Sequence, residues 1–241
     1  MDERRMSFWM HVGELRNRLL RSVIVLLIAV AAAFYFREPL FSLLRWPLPG
    51  DYKLYYFGVT EAFFFYFKIA LLAGIVVTLP YILFELYGFF APGLKLEEKR
   101  LIFPIIPVVI LLFAAGIAFV FLVLLPYSIR FLLSFSGEQL ETLLQADKYF
   151  GFVLGLSLGG GLTFELPVVL AVFAKLGWVT ARGLWRNFRY ALILILIATA
   201  ILTPTPDALP MLVLSTPMVV LYLLSIAVVA RIKPFGYSGT P

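Results

Sequence analysis

Six mostly apolar stretches, separated by short polar segments, constrain the fold of this chain more than any other feature. Of its 241 residues, 62% are hydrophobic and 14% are charged, whereas a soluble domain carries about 25% charged residues. A soluble domain of this size could not bury so much apolar surface, because its surface-to-volume ratio limits burial. Lipid must therefore be part of the solvent, and we predict an all-α, polytopic membrane protein.

The predicted architecture is a single membrane domain, 1–241, with six transmembrane helices. The spans are expected at about 19–37, 62–90, 101–127, 150–175, 190–203 and 208–230. We predict that the last two are short, since 190–203 covers about 20 Å as helix against a hydrocarbon core of about 30 Å. The connector Thr203-Pro204-Thr205-Pro206-Asp207 is predicted to be a turn, because proline disfavours helix. A re-entrant hairpin built from spans five and six is the alternative.

The distribution of basic residues predicts the orientation. Fourteen of the 20 basic residues fall on the side that holds both termini, and lysine and arginine mark the cytoplasmic side of a membrane protein. We therefore expect both termini in the cytoplasm (N-in/C-in). The net charge of +6 is explained by this topology and does not indicate a nucleic-acid partner.

The sequence offers little support for catalysis. There is no cysteine, and His11 is the single histidine, which excludes thiol chemistry and leaves no histidine pair for a metal. No zinc-protease, serine-hydrolase or phosphate-binding loop motif is present. We expect no enzyme activity, no cofactor and no bound nucleotide.

Glu165 is a carboxylate predicted to lie inside the fourth span, where ionisable groups are expensive and by default mark function. It follows three glycines, 159–161, which permit close approach of another backbone or a ligand. It is either a polar contact in a cavity open to the cytoplasm or a structural group, protonated or paired with Lys68. A solute transporter or proton-coupled transporter using Glu165 and Lys68 is the alternative function. Glu85, near the inner end of span two, is expected to extend toward the membrane surface.

Three further carboxylates, Glu14, Glu97 and Glu98, interrupt the basic cytoplasmic rim. On pattern alone they are explained as acids that favour helix N-termini. Glu14 is also predicted to pair with Arg18 at spacing i, i+4.

Four local patterns make the chain resemble the TatC family, the core receptor subunit of the twin-arginine protein translocase. The resemblance covers nearly the whole chain, from about His11 to Arg231. The patterns are His11-Val12-Gly13-Glu14-Leu15-Arg16-Asn17-Arg18-Leu19, Phe89-Phe90-Ala91-Pro92-Gly93-Leu94 followed by Glu98-Lys99-Arg100, Gly161-Leu162-Thr163-Phe164-Glu165-Leu166-Pro167, and Leu202-Thr203-Pro204-Thr205-Pro206-Asp207. Each is weak alone, but their order and positions together are specific.

The resemblance implies a function in the cell inner membrane, where the family binds twin-arginine signal peptides of folded cargo proteins for export driven by the proton-motive force. The implied partners are single-span TatB-like and TatA-like subunits, with an oligomer in the assembled translocase. The implied signal-peptide-binding residues are Glu98, Glu97, Glu14, Arg16, Phe89, Leu94 and Glu165. The implied contacts with partner subunits are Ile201, Leu202, Asp207 and Met211.

Overall fold

The computed structural model describes residues 8–50, 52–93, 103–134, 143–202 and 208–232. Within these ranges the chain forms ten α-helices and two short strands. The helices are α1 (Phe8–Tyr35), α2 (Arg37–Arg45), α3 (Glu61–Phe90), α4 (Ile105–Phe119), α5 (Leu125–Leu133), α6 (Ala146–Phe164), α7 (Leu166–Lys175), α8 (Ala181–Arg186), α9 (Phe188–Leu202) and α10 (Ala208–Val229). The strands are β1 (Leu54–Tyr55) and β2 (Leu144–Gln145).

Four segments are long and apolar enough to cross a membrane. They are Met10–Tyr35, Glu61–Phe90, Ile105–Leu133 and Ala146–Lys175. Phe188–Ile201 and Leu214–Val229 are shorter apolar stretches. Most residues of the four long segments are not buried within the protein, as expected for helices solvated by lipid. The predicted all-α, polytopic fold class is confirmed, whereas the assignment of the whole chain to a single domain stays a prediction.

Two of the long segments are interrupted helices. A π-helical turn, Val120–Leu124, joins α4 to α5, and Glu165 separates α6 from α7. The second break has a clear cause, because Pro167 has no N–H to continue the hydrogen-bond ladder. The hydrogen-bond ladder resumes in α7, where the carbonyl of Glu165 accepts from the N–H groups of Val168 and Val169, at 3.0 and 2.9 Å.

Three short elements were not predicted: α2, α8 and the parallel pairing of β1 with β2, which aligns Leu54 with Leu144. Residues 135–142, which follow α5, lie outside the described ranges, and Leu144 belongs to β2.

The chain divides into two compact units, of which the first comprises Met1–Leu43 and Tyr66–Ile110. In this unit α1 packs closely against α3. A Cβ built on Gly74 would lie 2.6 Å from Cγ2 of Val30 and 3.2 Å from its backbone nitrogen, so a larger residue would force the two helices to shift. Ile69 and Ala70 on α3 are fully buried.

The second unit comprises Leu44–Phe65 and Leu111–Pro241. Helices α4 and α6 cross at glycines: a Cβ on Gly116 would lie 2.7 Å from the carbonyl oxygen of Gly160, and one on Gly161 would lie 2.6 Å from the ring of Phe113. Small residues at such crossings are typical of helices that pack in membranes. A separate apolar cluster of Ile195, Met218 and Tyr222 joins α9 to α10.

Candidate functional site

A three-residue ionic network lies at the amino-terminal end of α1 and the carboxyl-terminal end of α3, within the first unit. Arg18 Nε and Nη2 both donate to Oε1 of Glu14, at 3.0 and 2.8 Å. Arg18 Nη1 donates to Oε2 of Glu85 at 2.9 Å. The predicted pair of Glu14 with Arg18 is therefore confirmed, and the same guanidinium also binds a second carboxylate that is 67 residues away in sequence.

Helix α3 fixes the far side of this network. The hydroxyl of Tyr81 donates to Oε1 of Glu85 at 2.8 Å, one helical turn before it. Glu85 is only 7% exposed, so the expectation that it extends to the membrane surface is wrong. Its charge is stabilised by Arg18 within the protein. Gly88 leaves room for the guanidinium, because a Cβ there would collide with Arg18 Nη1.

The second carboxyl oxygen of Glu14 accepts no hydrogen bond from the described residues. Oε2 is buried and has no hydrogen-bond partner in the described part of the chain. A buried carboxylate oxygen without a donor is costly, so this atom is chemically suited to receive a cationic donor. Two further predicted binding residues are described: Arg16 is exposed on α1, two positions after Glu14, and Phe89 of α3 stacks on the ring of His11 at a centroid distance of 4.3 Å.

Glu165 lies in the second unit, at the break between α6 and α7. Both of its carboxyl oxygens are buried, and neither has a hydrogen-bond partner within the described ranges. Its side chain lies near the backbone of Phe113, beside the crossing of α4 with α6 at Gly116 and Gly161. Glycine at this crossing brings the helix backbones together, and the break before Pro167 sets the carboxyl group at the joint.

An open cavity of about 1100 Å³ in the second unit offers little support for a solute pathway. It extends from Phe119 and Phe164 to Arg130 and is bounded on the other side by Pro217 and Val220 of α10. Among the described residues of its lining Arg130 is the only charged one, and the others are mostly aliphatic or aromatic. A polar path would require successive hydrogen-bonding groups, so this cavity does not favour the alternative of a transporter.

Several predicted residues cannot be placed. Leu94, Glu97, Glu98 and Asp207 lie outside the described residues. Of the predicted partner contacts, Ile201 is 78% exposed near the end of α9, Met211 is half-buried on α10, and Leu202 ends α9. No group of three metal-ligating side chains occurs in the described part of the chain.

Sequence reasoning missed the links from Arg18 to Glu85 and from Glu85 to Tyr81. One signal was present: Tyr81 and Glu85 are four residues apart on an apolar helix, and polar residues at that spacing share a face. Their partner on α1 could not be identified, because helix pairing is not encoded in local spacing.

These observations define a class: a multi-pass helical membrane protein with an ion-paired acidic cluster at the ends of two helices. The family model described as "Sec-independent protein translocase protein (TatC)" matches residues 10–217. The chain belongs to the TatC family of protein translocase subunits.

Individual relatives agree over nearly the full length. The Sec-independent protein translocase protein TatC of Carboxydothermus hydrogenoformans is 38% identical over 240 residues, which is 99% of each chain. The protein of the same name from Synechocystis is 35% identical and covers 92% of this chain and 87% of its own length. A crystal structure of the twin-arginine translocase receptor TatC superposes with a TM-score of 0.79 at 34% identity, covering 91% of this chain and 97% of that one.

Proposed function

We propose that this protein is the receptor and scaffold subunit of a twin-arginine translocase in the cell inner membrane, with both termini in the cytoplasm. It binds the twin-arginine signal peptides of folded cargo proteins at its cytoplasmic face. Membership of the TatC family and the similarity to a solved twin-arginine translocase receptor support this role. The clustering of arginine and lysine near both termini supports the orientation.

The observation that carries the proposal is the unused carboxylate oxygen of Glu14, beside a carboxylate–guanidinium network. Guanidinium presents a rigid fork of donors that matches a carboxylate, whereas lysine offers a single compact charge. A receptor that prefers Arg-Arg over Lys-Lys needs carboxylates that are fixed and partly desolvated. Glu14 is held by Arg18, with its side chain 22% exposed, and meets both requirements.

The proposal also assigns roles to the other predicted binding residues. Glu98 faces the arginine pair, with Glu97 beside it, while Arg16, Phe89 and Leu94 shape the rim. Glu165, whose carboxyl oxygens have no described partner, contacts the part of the signal peptide that enters more deeply.

Single-span TatB-like and TatA-like subunits are the proposed partners, and the assembled translocase is an oligomer. Ile201 supports a contact at the end of α9, because a side chain of that size left 78% exposed is available to a neighbouring transmembrane helix. Leu202, Asp207 and Met211 belong to the same proposed surface. The proton-motive force drives transport, consistent with a sequence that contains no nucleotide-binding loop.

The proposal is tested by measuring the affinity of the purified chain for a fluorescent twin-arginine signal peptide. Glu14→Gln and Glu98→Gln should each weaken binding by about tenfold to a hundredfold, because each removes a charge-assisted hydrogen bond worth about 1.5–3 kcal/mol. Glu38→Gln is the matched control, since Glu38 is an exposed acid on α2 with its side chain 68% exposed. Unchanged affinity in both rim variants would refute the proposed role of these carboxylates.

A further inference from the structure

The guanidinium of Arg18 binds Glu14 in an unusual manner that calls for an explanation. An arginine fork usually places two N–H groups on the two oxygens of one carboxylate. Here Nε and Nη2 both converge on Oε1 of Glu14, and Oε2 is left with no donor in the described part of the chain. Something other than Glu14 therefore determines the position of the guanidinium.

Glu85 is the group that holds the guanidinium in this position. It takes Nη1 at 2.9 Å, is itself fixed by the hydroxyl of Tyr81 at 2.8 Å, and has a side chain only 9% exposed. Gly88 lets the guanidinium lie directly on α3. In the position set by Glu85 and Gly88, the Nε and Nη2 edge of Arg18 meets only one of the two oxygens of Glu14.

The charges in the network also favour the binding of a further cation. Two carboxylates share one guanidinium, so the network of Glu14, Arg18 and Glu85 has one negative charge in excess. Arg21 lies near enough to act electrostatically on Tyr81, but it is exposed and forms no ion pair within the described ranges. The oxygen that has no donor belongs to Glu14, where a second guanidinium would complete the pairing.

We propose that Glu85 is a positioning residue for signal-peptide recognition: by anchoring Arg18 on α3, it keeps Oε2 of Glu14 and one negative charge available for an incoming arginine. This inference rests on the proposed receptor function. Without Glu85, Arg18 closes onto Glu14 as an ordinary bidentate pair and occupies the site that the peptide would use. Glu85 itself does not contact the peptide.

The test is a double-mutant cycle in the full-length chain, with the affinity for a twin-arginine peptide and for its twin-lysine counterpart as readouts. Glu85→Gln keeps the size of the side chain and one accepting oxygen, and it removes the charge and the second acceptor. It should weaken binding of the Arg-Arg peptide by about fivefold to tenfold and reduce the preference for Arg-Arg over Lys-Lys. In a Glu14→Gln background the same substitution should have no further effect on affinity, because Glu85 acts through Glu14.

A purely structural role predicts different results. Glu85→Gln would then lower the melting temperature but leave the ratio of the two peptide affinities unchanged, or it would weaken binding equally in both backgrounds. Either result overturns the inference. If Glu14→Gln itself leaves affinity unchanged, the proposed role of Glu14 in recognition fails first, so the two failures are distinguishable.

A second variant protects the test against misfolding. Tyr81→Phe removes only the hydroxyl that holds Oε1 of Glu85 and keeps every charge. It should weaken binding of the Arg-Arg peptide by about twofold to threefold, with the same loss of effect in the Glu14→Gln background. An unchanged affinity in a folded Tyr81→Phe chain counts against the anchor.

Discussion

Removing Arg18 should destabilise the protein more than removing any other single charge on α1 in the described part of the chain. In the described part of the chain, Arg18→Ala leaves Glu85, whose side chain is 9% exposed, with the hydroxyl of Tyr81 as its one hydrogen-bond donor. Breaking a buried ion pair by deleting one partner costs about 3–5 kcal/mol, whereas an exposed pair is worth about 0–1 kcal/mol. Arg18 is 25% exposed and Glu14 is 22% exposed, so water screens part of the interaction, and we expect a loss of about 2–3 kcal/mol.

Thermal unfolding of the purified chain in detergent measures this loss. For a chain of this length, 1 kcal/mol shifts the melting temperature by about 2–4 °C, so Arg18→Ala should lower it by about 4–12 °C. Arg16→Ala is the control, because Arg16 is exposed on the same helix and has no ion pair within the described residues. Adding Glu85→Gln to Arg18→Ala should restore part of the loss, since a neutral amide is cheaper to bury than an unpaired carboxylate. A melting temperature within 2 °C of the parent in Arg18→Ala would refute this account of the network.

Two further predictions concern packing in the second unit. Gly161→Leu should lower the free energy of unfolding by about 1–3 kcal/mol through overpacking, because even a Cβ would meet the Phe113 ring at 2.6 Å. Gly155→Ala is the control and should be neutral or slightly stabilising, because no atom lies within 4 Å of a Cβ built there. Tyr222→Phe should destabilise by about 1 kcal/mol, because its hydroxyl donates to the carbonyl of Leu184 at 3.0 Å. Melting temperatures check both, and a Gly161→Leu chain as stable as the parent would contradict the crossing geometry.

The long helices could be predicted because their signal is strong. An apolar run of 20 or more residues leaves a helix as the way to satisfy its backbone in lipid, and α3 forms over 30 residues as a result. The break between α6 and α7 at Glu165 was harder to predict. Pro167 was present in the sequence, but proline is tolerated in transmembrane helices, and the same residue type lies inside α3 and α10 without ending either.

The short elements and the long-range contacts could not be predicted from the sequence, for different reasons. Helix α8 has six residues and β1 has two, so neither contains a full hydrophobic period. The contact of Arg18 with Glu85 spans 67 positions and depends on which helices pack together. The family resemblance pointed to Glu14, and the i, i+4 spacing predicted its pair with Arg18. That Oε2 of Glu14 has no donor could not be predicted, because it depends on the position that Glu85 gives to Arg18.

The central claim is that fixed carboxylates on this chain read an arginine pair. The most direct test is the affinity of the unmodified, purified chain for two signal peptides that differ only in Arg-Arg against Lys-Lys. We predict that the Arg-Arg peptide binds at least about tenfold more tightly, because each guanidinium can engage a carboxylate through two donors and an ammonium cannot. Equal affinity for the two peptides would contradict the claim.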